Sequence, residues 1–283
     1  MSPFAWFQYL LPQHLLTRAV GLLAQSSSPF IKTPLIRAFM KAYTISLDEY
    51  EVQRVEDFAH FNDFFTRALK PGMRPLSEVA GALSCPADGR ISELGSIHCN
   101  QILQAKGKTY TLAKLLGGME EASWFENGHF CTVYLAPSNY HRVHMPLSGR
   151  AIKSRYVPGN LFSVNQTTAE NVPNLFARNE RWIGLFETEH NGETLPFVVV
   201  MVGAMIVAGI ETTLTGKINN TGKVQDFAHS DRVFKQGEEL GRFYLGSTAI
   251  VITPPELCLN WSQGLQAGSV VQLNQTLGNF KQV

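Results

Sequence analysis

A chain of 283 residues has room for one large domain or two ordinary ones, enough for a substantial core. Its 24 Lys and Arg nearly cancel its 23 Asp and Glu, and a net charge of +1 creates no global field that would gather nucleic acid. Hydrophobic residues make up 45% and charged ones 17%, a globular composition, and the four cysteines (Cys85, Cys99, Cys131, Cys258) are scattered with no Cys-x-x-Cys pair, which argues against a zinc ribbon or dithiol site and fits a reducing compartment.

The first forty-odd residues differ from all that follow. Phe4, Trp6, Phe7, Tyr9, Leu10 and Leu11 precede Pro12, which interrupts the apolar stretch; no basic residue stands ahead of it, so it does not read as a signal peptide. Leu15, Leu16, Ala19, Val20 and Leu23 then recur at helical spacing. Thr33-Pro34 resembles an N-cap with proline at the first helical position, opening a second helix with the stripe Leu35, Ile36, Phe39, Met40 and Tyr43. Arg18, Lys32, Arg37 and Lys41 are matched by no acidic residue before Asp48. Amphipathic, aromatic, cationic helices suit the interface of an anionic membrane, although the same stripes would serve to pack on the body of the protein.

Ser46 to Glu49 has capping-box spacing and predicts another short helix, and Phe58, Phe61, Phe64 and Phe65 predict a helical segment ending near Leu69. Residues 70–75 form a loop. Beyond Ser84 short apolar runs alternate with Gly, Asn and Pro: Gly89 to Ser92, Phe130 to Leu135, Gly149 to Tyr156, Phe197 to Val202, Ile206 to Ile210 and Thr248 to Ile252. One helix is expected around Leu112 to Leu116. The fold class is therefore α+β, a β-rich body behind amphipathic N-terminal helices, with a division expected between residues 1–50 and 51–283. No run reaches the roughly 18 apolar residues of a transmembrane helix.

Five stretches bear groups that can do chemistry. Asp88-Gly89 favours a tight turn, and a carboxylate there can orient a histidine. His141 and His144 are three apart with no Glu or Cys at a zinc-like spacing, so no metal site is expected; in a strand they face opposite sides and in a helical turn they share one, so either the segment turns between them to serve one site or they hold separate jobs. The stretches Val157 to Asn165 and Phe176 to Arg181 read as surface loops. Finally, Gly246-Ser247-Thr248 stands at the mouth of the last apolar strand. Glycine leaves the carbonyl before Ser247 open to attack by that serine's own hydroxyl. An ordinary turn into a core strand has the same three residues.

Taken together, Phe61 to Arg67, Lys70 to Pro75, Pro86 to Arg90, Tyr140 to Pro146, Val202 to Ala204 and Leu245 to Thr248 stand in the order and at the separations of one family. From about Phe58 to Val251 the sequence resembles the phosphatidylserine decarboxylase proenzymes of bacterial and mitochondrial type. That resemblance implies a precursor that cuts itself between Gly246 and Ser247 into a β chain, 1–246, and an α chain, 247–283. Asp88, His144 and Ser247 would be the self-processing triad, with His144 taking the serine proton and Asp88 orienting and stabilising the imidazole. The ester formed on the Gly246 carbonyl is eliminated to dehydroalanine, which loses ammonia to leave a covalent pyruvoyl group from Ser247. A ketone of this kind forms a Schiff base with the substrate amine and withdraws the electrons left by departing CO₂. His141 would be the proton donor in decarboxylation.

The resemblance further implies phosphatidylserine as substrate, phosphatidylethanolamine as product, a peripheral place on the cytoplasmic side of the cell membrane and an α/β heterodimer after cleavage. It is compatible with a homodimer, for which no residue argues. Two other classes compete: a serine hydrolase using Ser247, His144 and Asp88 without self-cleavage, and a membrane-attached β scaffold without activity. The absence of a Gly-x-Ser-x-Gly elbow counts against the hydrolase.

Overall fold

The computed structural model describes residues 8–9, 11–79, 81–205, 209–229, 232–244 and 247–281. Among them, nine strands form an antiparallel sheet whose middle is the strand Ser247–Thr253, paired on one side with Glu193–Gly203 and on the other with His129–Leu135. The reason is in the residues: Thr248 to Thr253 is β-branched or aliphatic throughout, and both of its faces are covered. Ile250 and Ile252 join one apolar core, with Val198, Val200 and Val202 from the neighbouring strand. Ala249 and Val251 join the other, with Phe197, Val199 and Met201. The period of two thus splits one apolar run between two cores. The β-rich α+β expectation is met.

A smaller four-stranded sheet brings the histidines to the same end. Its edge strand, Arg142–His144, pairs with Glu239–Phe243, the strand that leads through residues 244–246 into Ser247. The Phe243 N–H donates to the His141 carbonyl at 3.0 Å. Gly89 allows the main chain after Asp88 to lie against the central sheet, since a Cβ there would stand 2.4 Å from the Tyr134 carbonyl oxygen.

The N-terminal layer packs on this end. A first helix, Gln13–Ala24, and a second, Pro29–Tyr43, cover a core that includes Ala24, Ile36, Leu47, Tyr50, Phe58, Phe61, Phe64 and Phe65, together with Tyr140 and Leu273 of the β body. The second helix starts earlier than Thr33-Pro34 predicts. Ser28 stands at its N-cap and Pro29 in its first turn, so Pro34 falls inside, where its missing N–H forgoes one main-chain bond. Nor does Ser46 open a helix: its hydroxyl accepts from the Asp48 N–H and donates to the Asp48 carboxylate, closing a local turn. The aromatic helix is a short Phe61–Phe65, after which the chain extends and Leu69 bridges to Tyr50.

The excess of N-terminal cations is reduced by folding. Arg37 pairs with Glu56 at 2.6 Å, and the Lys32 ammonium donates to the carbonyls of Glu56 and Phe58. Phe176 to Arg181 is not a surface loop either. Leu175–Arg178 is a helical turn, and Asn179, Glu180 and Arg181 are buried, with Arg181 opening a strand of the main sheet. The expected strand Ile206 to Ile210 lies largely outside the described residues; a strand Ile210–Thr212 is formed.

Candidate active site

Ser247 begins the central strand. Its backbone pairs with Leu135 and Gly203, and its side chain is fully buried. Its hydroxyl has no hydrogen-bond partner, nor has that of Thr248. An unmet hydroxyl in the interior costs about 1–3 kcal/mol. Gly246, the other half of the expected cleavage pair, lies outside the described residues.

His141 is also fully buried, and neither ring nitrogen has a hydrogen-bond partner. The ring stacks on Phe65 with centroids 4.0 Å apart. Burial, then the neighbouring Arg67 guanidinium, pushes its pKa down to about 3, with the carbonyls of Pro137 and Ala136 opposing from nearby without completing a hydrogen bond. These two residues follow directly on Leu135, the strand partner of Ser247. His141 therefore stands at the serine end of the central strand as a neutral imidazole at pH 7.

His144 is differently placed. Its Nδ1 is 2.9 Å from the Gly237 carbonyl oxygen and its Nε2 is 2.9 Å from the Tyr140 hydroxyl. Burial lowers its pKa, opposed by the Gly237 carbonyl and by the charges of Glu239 and Asp88, while Arg142 adds to the lowering. Asp88 is held near it because the His144 N–H donates to the Pro86 carbonyl at 2.8 Å. Asp88 and His144 share no hydrogen bond, however. The carboxylate accepts from Arg74 Nη2 at 2.8 Å and Nε at 3.1 and 3.2 Å, and from the Leu273 N–H at 2.8 Å. Arg74 also pairs with Glu49 at 2.8 Å, which ties Asp88 to the N-terminal layer.

The fold thus brings Asp88 near His144 and sets His141 beside residues 136–137, which follow the strand partner of Ser247, and it surrounds the histidines and Asp88 with Arg74, Tyr140, Gly237 and Phe65, which the sequence does not single out as site residues. Three of these lie inside the stretches that carry the family resemblance, and Tyr140 directly precedes His141. Nothing local marks Gly237, whose main-chain carbonyl does the work.

An apolar cavity of about 260 Å³ opens beside this cluster. Phe61, Phe65, Pro137 and Met205 form its inner wall, and Val20, Leu23, Leu35 and Phe39 of the two helices its outer one. The helices also leave apolar side chains uncovered, with Phe30 91% and Leu22 75% exposed. No helix among the described residues is long and apolar enough to cross a membrane. No group of three or more His, Cys, Asp or Glu among them is arranged to hold a metal ion.

The chain matches the family described as phosphatidylserine decarboxylase over residues 61–279, and a second family description, PSD, over residues 3–44. It is 52% identical to the phosphatidylserine decarboxylase proenzyme of Psychrobacter arcticus over 281 residues, covering 99% of this chain and 100% of that one. With the proenzyme of Ectopseudomonas mendocina it shares 50% identity over 283 residues, 98% of this chain and 97% of the other. That of Pseudomonas aeruginosa is 50% identical over 286 residues, again 99% and 97%. The chain belongs to the phosphatidylserine decarboxylase family.

Proposed function

We propose that the chain is a self-cleaving precursor, cut between Gly246 and Ser247, that converts phosphatidylserine to phosphatidylethanolamine. The observation that carries this is the pair of buried, unpartnered groups, the Ser247 hydroxyl and the His141 imidazole, at the mouth of the central strand. The relatives matched over nearly the whole chain are decarboxylase proenzymes, which favours neither an external-ester hydrolase nor a scaffold.

In this reading His144 accepts the Ser247 proton as the hydroxyl attacks the Gly246 carbonyl, and Asp88 favours the resulting imidazolium by its charge. A pyruvoyl group derived from Ser247 would supply the electron sink for loss of CO₂. The position suits such a group: the Ser247 side chain is fully buried, and nothing among the described residues bonds it. His141 delivers the proton to the carbon that has lost CO₂. As a neutral ring it gains that proton only beside a negative charge, which the substrate brings. The apolar cavity between the helices and Phe65 takes acyl chains, and the exposed Phe30 and Leu22 rest on the membrane interface.

Denaturing mass spectrometry tests the cleavage. Two fragments parting at Gly246–Ser247 are expected, the smaller reactive with hydroxylamine, while Ser247→Ala stays whole. A single full-length species from active material overturns the reading. For the surface, the double change Leu22→Ser with Phe30→Ser is expected to weaken binding to anionic liposomes about tenfold or more, two buried side chains each contributing about 1.5–3 kcal/mol; unchanged co-sedimentation would assign the helices to packing alone.

A further inference from the structure

A second cavity, of about 790 Å³, lies across the first helix from the apolar one. Thr17, Gly21 and Gln25 line it, whereas Val20, Leu23 and Ala24 of the same helix line the apolar cavity. The rest of its wall is polar, and Glu180 and Lys217 are the two charged residues among those described. Glu180 is buried, and its carboxylate accepts from Asn220 Nδ2 at 2.9 Å. Lys217 is exposed. Glu211 stands opposite it in register, yet gives its carboxylate to the Tyr244 hydroxyl and lies 4.0 Å from Arg242. No acid among the described residues pairs with the Lys217 ammonium, which rests 5.1 Å from the centre of the Tyr244 ring. A cation on an aromatic face keeps its other side for an anion. Thr17 is 8% exposed, and its hydroxyl also lacks a partner among the described residues.

The cavity borders both segments that hold the expected cleavage point. The Glu180 carbonyl accepts at 2.8 Å from the N–H of Gly203, the strand partner of Ser247. The carbonyl of Gly209, another wall residue, accepts at 3.2 Å from the N–H of Tyr244, three residues before Ser247. We propose that this cavity is the headgroup site for an aminophospholipid, in which Lys217 binds the phosphodiester and Glu180 draws the ammonium inward towards Ser247. This rests on the decarboxylase reading above. Phosphate and ammonium are the two charges that phosphatidylserine retains when CO₂ leaves, so one site serves substrate and product. A free phosphate would suit Lys217 but be repelled by Glu180, whereas a lipid with an amine satisfies both and has the apolar cavity beside it.

The test uses a lipid that carries both charges but cannot form an imine, dihexanoyl N,N-dimethylphosphatidylethanolamine, below its micellar concentration. In calorimetric titration of the purified full chain, Lys217→Gln is expected to bind it about tenfold more weakly than the wild type, and Lys217→Arg nearly as well as the wild type, the worth of one charge-assisted hydrogen bond. Dihexanoyl phosphatidylglycerol, which has the phosphate but no amine, is expected to bind the wild type several-fold more weakly. Equal affinity of wild type and Lys217→Gln, or equal affinity for the two lipids, overturns the proposal. So does displacement of the lipid by inorganic phosphate at equal concentration, which would make this a plain anion site. In turnover of monomeric dihexanoyl phosphatidylserine, Lys217→Gln is expected to raise KM about tenfold with little change in kcat; an unmoved KM overturns the proposal as well. If the wild type binds the dimethylated lipid as expected yet releases no CO₂ from phosphatidylserine, the decarboxylase reading fails and the headgroup site stands.

Discussion

His141 and His144 are three residues apart and live under opposite conditions. His141 is sealed against Phe65 with both nitrogens unmet, whereas His144 has a partner at each nitrogen and acidic neighbours within reach. The backbone sets this difference: His144 ends the strand Arg142–His144, whereas His141 stands just before it, after the turn at residues 137–139. One ring faces the aromatic N-terminal layer and the other faces the polar junction with Glu239 and Asp88. A fully partnered imidazole is fixed in place by its bonds, and a stripped one only by its stacking on Phe65. The pair teaches that a single short motif can supply two histidines with separate electrostatic fates, which is the condition for separate chemical roles.

The largest effect that would break this contrast is on turnover. His141→Ala is expected to be cut into two chains as usual yet to lose decarboxylation by about 10²–10⁴-fold, the range for removing a proton donor. Cleavage and turnover would be followed on the same sample by mass spectrometry and by release of CO₂. An uncut His141→Ala chain would merge the two roles.

A smaller effect concerns stability. The folded pKa of His141 lies near 3, below the ordinary 6.5, so between these values the unfolded chain binds a proton that the native one refuses. Native stability must then fall as pH drops below about 6.5 and continue falling towards 3. The burial that lowers the pKa of His144, His129 and His229 works in the same direction. Urea titrations of the uncut Ser247→Ala precursor at a series of pH values should show this slope, and it should become shallower with His141→Phe. An equal slope in both would mean that His141 is already charged in the native state.

Much of the framework is legible in the sequence because it obeys local periods. The central strand and the two N-terminal helices follow from spacing alone. What escapes such reading is set by distant partners. Leu273 reaches Asp88 across 185 positions, and no local pattern announces that Arg74 will occupy the same carboxylate. The capping-box signal at Ser46 fails because Asp48 offers its hydroxyl a closer partner and Arg74 draws away Glu49. Similarly, Lys32 and Arg37 find carbonyls and Glu56 in a segment that follows them in the chain.

The central place of the Ser247 strand has a consequence for the life history of the molecule. A cut at its mouth leaves the strand clamped between two neighbours along its length, so the fragment stays where it folded. Before the cut, refolding is an intramolecular event independent of concentration. Afterwards it requires two chains to meet, and the lost one would form the middle of the sheet instead of an edge that can be added late. A protein cut there would assemble once, as a single chain, and its cut form would be durable only for as long as it remained folded.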